Sequence, residues 1–445
     1  MAKLDLTEGS VSKTILRLTF PMLFGMLSIV MYNMADTLFV GRLGKDELAA
    51  LSFTFPVVGI LGNIAFGIGI GAMSLVSTAV GRADDDTVKR LTSDVLLLSI
   101  LIAIVFSVCG YFTMIPLFRL IGAKGRVLEL VCQYMGIWYL GAGFVVIPMV
   151  GNNIIRATGD ARTPAVVMSI SGILNVILDP LFIFGLGPFP ELGVKGAALA
   201  TVISRSVTFV VSLSVLYFRE KILSFRFPGV KVIINSWRRV LYIGLPAVLT
   251  RIFKPLSNAT ITRMIAFYGN AAVAGFGLAT RLEFFALLPI KSVGSAIMPF
   301  AGLNLGAGKP ERIKKAIKFS WLYSFLCGIG IFILSLLFSE KAASLFNSDP
   351  TVIDTASRYM IIVSSGYGLS GIVMIMAGVL NIFRKPILSS FISLLQMFII
   401  YIPLAYVLSR YIDLNGIFLS RPIAFLLTAI IGFFFIKKDA FSVLC

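Results

Sequence analysis

Apolar runs of about 20 residues or more recur along the entire chain, at roughly 15–40, 49–80, 93–118, 130–155, 163–185, 194–217, 238–264, 271–305, 316–338, 355–383, 387–409 and 414–436. Each is long enough to cross a hydrocarbon core about 30 Å thick at about 1.5 Å per helical residue. Inside lipid every backbone N–H and C=O must find its partner within the protein, which leaves helices and closed barrels. Barrel strands would show as alternating segments of about ten residues, and none are visible. A composition 58% hydrophobic and only 13% charged, with a mean hydropathy of +0.96, excludes a soluble globular domain. The expectation is an all-α membrane protein with twelve transmembrane helices, called spans 1–12 here.

The opening MAKLDLTEGSVSK mixes charges of both signs and lacks the parts of a cleaved signal peptide, so span 1 is expected to be retained. With an even number of spans the two termini share a side. The tails and the loops on that side carry 23 lysines and arginines against 9 in the other loops, which places both termini in the cytoplasm. The net charge of +18 is then mostly a topological signal, and nucleic-acid binding is not expected of charges that sit between spans. Histidine is absent, which removes histidine triads, histidine-ligated zinc and histidine proton relays. The four cysteines, Cys109, Cys132, Cys327 and Cys445, form no CxxC pair and imply no disulfide framework.

The chain also repeats itself. A shift of 225 residues aligns LTFPMLFG at Pro21 with IGLPAVLT at Pro246, Gly44 with Gly269, and VGRADDDTVKR at Gly81 with LGAGKPERIKK at Gly306. Later the register drifts by a few positions, pairing Pro164 with Pro386, Pro180 with Pro403 and Gly196 with Gly416. Six spans are thus followed by six related spans in the same orientation. Parallel repeats related by an axis along the membrane normal usually enclose a central cavity and give alternating access, so transport leads over a receptor or structural role. The expected division is an N-terminal lobe at 1–217, a basic cytoplasmic linker loop at 218–240 and a C-terminal lobe at 241–445.

Taken together, the FP of span 1, MADTLFVGRLG, VGRADDD, NIIRATGDARTP, NVILDPLFIFG, GVKGAALATVISR and ATRLEFFALLPIKSVGSAIMPFAGLNLGAGKPERIKKA resemble the multidrug and toxic compound extrusion (MATE) family. The resemblance covers nearly the whole chain. It implies two six-helix bundles, related by a pseudo-two-fold axis and facing each other in a V. The branch it resembles, of archaeal and DNA-damage-inducible type, carries a buried acidic site in the N-terminal lobe. The matching positions are Asp36 on span 1, Tyr134 and Asn152 on span 4, Asn175 and Asp179 on span 5, and Thr201 on span 6. Another branch binds sodium through acids on spans 7 and 10. Here span 7 carries Arg251 and Lys254 and span 10 has no acid between Arg358 and Arg384, so no cation site is expected in the C-terminal lobe.

Physical chemistry gives the same acids a role. Asp36 closes a run almost free of charge from Leu18 onward, where a carboxylate costs about 2.5–3.5 kcal/mol or more. Asn175 and Asp179 are spaced i, i+4 and share one helical face that can meet Asp36 across a bundle. Two carboxylates in such a medium bind protons as a coupled pair. Oxygens from Asn175 and Thr201 could complete a small hard-cation site, which makes Na+ at Asp36, Asn175, Asp179 and Thr201 an alternative to H+. Pro21 breaks a backbone hydrogen bond and makes span 1 a conformational hinge. The plainer readings are that Asp36 caps span 1 beside Arg42, that Asp179 only closes span 5 before Pro180, that Tyr134 is interfacial and that Asn152 is packing glue.

The second half holds buried cations without matching acids. Arg251, Lys254 and Arg263 on span 7, with Arg281 and Lys291 on span 8, outnumber Glu283, and the repeat sets Ile261 opposite Asp36. One reading pairs Glu283 with one of these five and lets the rest snorkel or close a gate. The other makes Arg251, Lys254, Arg281 and Glu283 cavity charges that hold an anionic or zwitterionic group. The glycines of AFGIGIGAMS are no nucleotide loop, since no strand precedes them; Gly67 and Gly71 instead form a GxxxG that permits close helix approach.

The resulting expectation is a secondary active multidrug efflux antiporter, not an enzyme. It would export amphipathic, often cationic organic compounds by alternating access, with inward H+ or Na+ as the coupling ion and no cofactor. The alternative is a flippase for an anionic or zwitterionic lipid-linked substrate. Partners are drug-like molecules and membrane lipids, the chain is expected to act as a monomer, and the location implied is a prokaryotic inner membrane.

Overall fold

The computed structural model describes residues 6–224, 226 and 228–439, with backbone only from 436 onward. Every regular element among them is helical: α1 (Val11–Gly41), α2 (Lys45–Gly81), α3 (Asp85–Ile121), α4 (Gly125–Leu140), α5 (Ala142–Ala157), α6 (Arg162–Phe184), α7 (Val194–Ser214), α8 (Val230–Ala266), α9 (Asn270–Ala286), α10 (Leu288–Gly306), α11 (Pro310–Ser344), α12 (Pro350–Ser364), α13 (Tyr367–Ile382), α14 (Pro386–Leu394) and α15 (Ile402–Asp439). Wider π-type turns at Val215–Arg219 and Leu395–Tyr401 extend α7 and join α14 to α15. Eight helical stretches are long and apolar enough to cross a membrane, and three bent pairs raise the number to eleven. The last stretch, Pro386–Phe435, is 50 residues long, more than twice what a bilayer needs. It is broken by non-helical backbone at Ile412 and Asp413, and its two limbs bring the total to the twelve spans expected.

The bent pairs have identifiable causes. α9 and α10 meet at 47° two residues before Pro289, whose ring cannot donate to the helix ladder. The equivalent position in the first half is Ile64, and there α2 runs straight through. α4 and α5 meet at 50° and α12 and α13 at 56°. Both breaks carry a glycine where a neighbour presses close: a Cβ at Gly141 would lie 2.4 Å from Val202, and one at Gly366 would lie 2.7 Å from the Pro422 backbone. The repeat outlasts the sequence likeness. A displacement of 225 residues carries Gly41 to Ala266, Lys45 to Asn270, Gly81 to Gly306, Asp85 to Pro310, Gly125 to Pro350 and Ala157 to Ile382, all of them helix ends.

Two compact units divide the chain. One takes Phe24–Leu245, the other Asp5–Leu23 and Pro246 onward. α1 and α8 therefore each leave one unit and enter the other, at Leu23/Phe24 and at Leu245/Pro246. In the first unit the core gathers Trp138, Tyr139 and Phe118; in the second, Tyr359, Tyr367 and Phe418. The segment before α1 is strapped to the second unit. Arg312 donates to the carbonyls of Gly9 and Glu8 at 2.8 Å each, and Lys309 donates to that of Thr7 at 2.9 Å.

The expected linker loop at 218–240 is shorter than its charge implied. α8 already begins at Val230, and Ile233, Ser236 and Val240 are buried at helical spacing while Lys231, Arg238 and Arg239 take the other faces. The GxxxG reading is matched by contact. A Cβ at Gly71 would sit 2.4 Å from the Val240 carbonyl, and one at Gly244 would sit 2.7 Å from that of Gly67, so α2 and α8 touch backbone to backbone.

Candidate functional site

The acids of the first half are inside the first unit. Asp36 is 7% exposed and Asp179 is wholly buried. Neither ends a helix: α1 continues to Gly41 and α6 continues through Pro180 to Phe184. Capping explains neither residue. α6 carries Asn175 one turn before Asp179, and the Asn175 amide donates to Asp179 Oδ1 at 3.3 Å and to Thr201 Oγ1 of α7 at 3.5 Å. Asp36 and Asp179 lie within electrostatic reach of each other. Tyr134 of α4 lies within electrostatic reach of both acids and beside Thr201. Five of the six expected residues thus converge. Asn152 is also buried, but its carbonyl oxygen accepts from Ser212 at 2.9 Å, which gives it a structural role one helix pair away.

Three oxygens in this pocket, Asp36 Oδ1, Asn175 Oδ1 and Asp179 Oδ2, are buried with no hydrogen-bond partner. An orphaned buried acceptor costs about 1–3 kcal/mol, and three on converging side chains call for positive charge, either a proton or a small hard cation. No group of three or more His, Cys, Asp or Glu suited to a metal occurs among the described residues, so any cation would rest on two carboxylates plus the neutral oxygens of Asn175 and Thr201.

Sequence reasoning missed two members of the site. Arg205 donates to the Tyr32 hydroxyl at 2.6 Å and stacks over its ring at 4.9 Å, and both line a small cavity with Asn175, Thr201 and Ser171. The signal was present. Tyr32 stands i−4 from Asp36 and Arg205 i+4 from Thr201, so each shares its neighbour's helical face.

The second unit holds a different constellation. Glu283 of α9 is buried and pairs with Arg421 of α15 through Nη2 at 2.6 Å and Nη1 at 2.9 Å, while the Tyr359 hydroxyl donates to it at 2.7 Å. The expectation that Glu283 pairs with Arg251, Lys254, Arg263, Arg281 or Lys291 is thereby corrected. Its partner stands 138 residues away, and no local spacing connects the two. Lys254 and Lys291 lie within electrostatic reach of the pair and of Arg251, and Lys291 Nζ sits 3.8 Å from the centre of the Phe284 ring. Lys254 is exposed and Lys291 half-buried. Since Arg421 and Glu283 cancel, the lysines leave this aromatic-rimmed region positive. Arg281 is exposed and stands outside the set.

A MatE family model matches residues 21–181 and 246–407, two blocks that open on the repeat prolines Pro21 and Pro246. The chain belongs to the MatE family. MATE proteins are ion-coupled antiporters, so this chain is a multi-pass membrane transporter and not an enzyme. A Shewanella oneidensis protein named FAD transporter is 37% identical over 434 residues, 97% of this chain and 96% of its own length. A Bacillus subtilis protein named probable multidrug resistance protein YoeA is 29% identical over 393 residues, 87% of this chain and 85% of that one. Among solved structures, the Vibrio cholerae MATE transporter VcmN in the bent form matches with a TM-score of 0.92 at 27% identity, covering 97% of this chain and 98% of that one. The MATE fold thus extends over the full set of spans.

Proposed function

We propose that this MATE transporter exports an anionic aromatic compound of the flavin dinucleotide class in exchange for inward protons taken up at Asp36 and Asp179. The observation that carries the cargo class is the surplus of positive charge at Lys254 and Lys291, beside Phe284 and around the neutral Arg421–Glu283 pair. Lysines recognise phosphate as point charges, and aromatic faces stack on planar rings. The name of the Shewanella relative points the same way. Coupling rests on the three orphaned oxygens of the first unit, which a proton or Na+ would relieve. Each charge moved inward across about 100 mV supplies about 2.3 kcal/mol, and each pH unit adds about 1.4. Pro21 serves as a hinge, and Tyr134 supports the acidic pocket.

A second reading, export of amphipathic organic cations, is favoured by the multidrug names among the relatives. A flippase acting on an anionic or zwitterionic lipid-linked substrate would use the same lysines. Proteoliposomes loaded with FAD, a fluorescent organic cation or a labelled anionic lipid separate the three. Gradient-driven FAD efflux, lost in Asp36→Asn and weakened in Lys254→Ala, is the expected result. Movement of the cation or the lipid with FAD retained would overturn the cargo assignment.

A further inference from the structure

The first unit holds a second cavity, of about 660 Å³, away from the acidic pocket. One end is polar, with Ser93, Asp94, Ser224 and Arg226; the other is apolar, with Leu97, Ile100, Ile147 and Phe209, and Tyr217 and Phe218 also line it. Asp94 is 3% exposed, and its Oδ2 has no hydrogen-bond partner. The backbone there is held firmly. Trp237 donates to the Asp94 carbonyl at 2.7 Å, and the Ser224 amide donates to Ser93 at 2.9 Å. Neither contact reaches the carboxylate, which remains a buried acceptor in the wall of an apolar cavity.

The apolar end is continuous with the outside of α3. Leu97, Ile100, Leu101, Ile104, Val105 and Val108 are 40–55% exposed and form one stripe at helical spacing. On a membrane span such a stripe faces lipid, so the cavity opens toward acyl chains. Its polar end therefore sits where a headgroup would, with a carboxylate and a guanidinium available. Those two groups complement a zwitterion.

We propose that this cavity binds one membrane phospholipid with a phosphoethanolamine headgroup, its ammonium on Asp94, its phosphate toward Arg226 and an acyl chain along Leu97 and Ile100. The Asp94 carboxylate selects the headgroup. It needs an N–H donor, which a primary ammonium has and a trimethylammonium lacks. Phosphatidylglycerol offers no cation at all. A soluble cationic amphipath would satisfy Asp94 but leave Arg226 without an anion. The bound lipid is a structural ligand of α3 and the segment after α7, independent of the transport cycle proposed above.

The test is native mass spectrometry of the full chain in detergent, titrated with phosphatidylethanolamine, phosphatidylcholine and phosphatidylglycerol of identical acyl chains. Wild-type protein should retain one phosphatidylethanolamine about tenfold more tightly than either other lipid, the effect of one charge-assisted hydrogen bond. Asp94→Asn should reduce that preference to near unity, and Leu97→Trp, which fills the apolar end, should remove the bound lipid whatever its headgroup. Equal retention of phosphatidylethanolamine and phosphatidylcholine by wild type would overturn the proposal and needs no variant that might fold poorly. Displacement of the lipid by tetraphenylphosphonium at equal concentration would overturn it in favour of a drug subsite. Thermal melts add one further check. Arg90 stands one turn before Asp94 on α3, and its Nε is likewise buried without a hydrogen-bond partner; if Arg90→Ala, Asp94→Asn and the double variant lose equal stability, Asp94 is an internal ion-pair partner and the lipid assignment fails.

Discussion

Arg421 grips Glu283 with two guanidinium nitrogens, at 2.6 and 2.9 Å, and so ties α15 to α9 four residues before the α9–α10 bend begins. Glu283 is buried and Arg421 half-buried, and removing one member leaves the other charge without compensation. Glu283→Gln or Arg421→Ala should each cost about 3–5 kcal/mol, whereas Glu283→Gln combined with Arg421→Met should recover most of that loss. Thermal unfolding in detergent reads the difference; additive single and double losses would contradict a coupled pair.

The acidic pocket should behave in the opposite sense. Asp36 and Asp179 hold buried oxygens that lack partners, so Asp36→Asn and Asp179→Asn should leave the melting temperature unchanged or higher while reducing gradient-driven efflux by tenfold or more, about 1.4 kcal/mol in barrier. A clear fall in melting temperature for either variant would mark a structural role instead.

Pro21 and Pro246 stand at repeat-related positions, and each lies within three residues of the point where its helix passes from one unit to the other. If both helices bend there during transport, Pro21→Ala and Pro246→Ala should slow turnover to a similar degree, roughly tenfold for about 1.4 kcal/mol of added bending barrier. Loss of activity in only one of them would assign the hinge to that helix alone.

Outside the spans, Asp160 sets a pH dependence. Burial acts to raise its carboxyl, but hydrogen bonds from Thr163 and Arg219 outweigh this and hold it below the ordinary value. A depressed folded-state value means that the contribution is fully present above about pH 4 and is lost as the pH falls through the lower folded value. Asp160→Asn should therefore lower stability at pH 7 and flatten the acid limb of the profile, the difference from wild type closing as the pH falls, which thermal melts across the acid range read directly.

The strap before α1 rests largely on one side chain. Arg312 donates to three backbone carbonyls, those of Leu6, Glu8 and Gly9, and to Asn304 at 3.0 Å. Arg312→Ala should speed hydrogen exchange over residues 6–14 while leaving α3 unaffected, because the two belong to different units. Unchanged exchange would show that the burial of Leu6, 2% exposed, suffices by itself.

The chain's own order of residues determined the twelve spans, the two-fold repeat and the shared face of Asn175 and Asp179, since hydropathy and the 3.6-residue period are properties of short contiguous stretches. It also placed Asp36 at a depth where a carboxylate has to be accounted for. Tertiary structure alone decided that Glu283 meets Arg421 rather than a nearer cation and that Asn152 turns to Ser212. These outcomes depend on how each helix is rotated about its axis and where it bends. Those are set by close approaches such as Gly366 to Pro422 and Gly141 to Val202, which link residues far apart in the chain and leave no periodic trace within it.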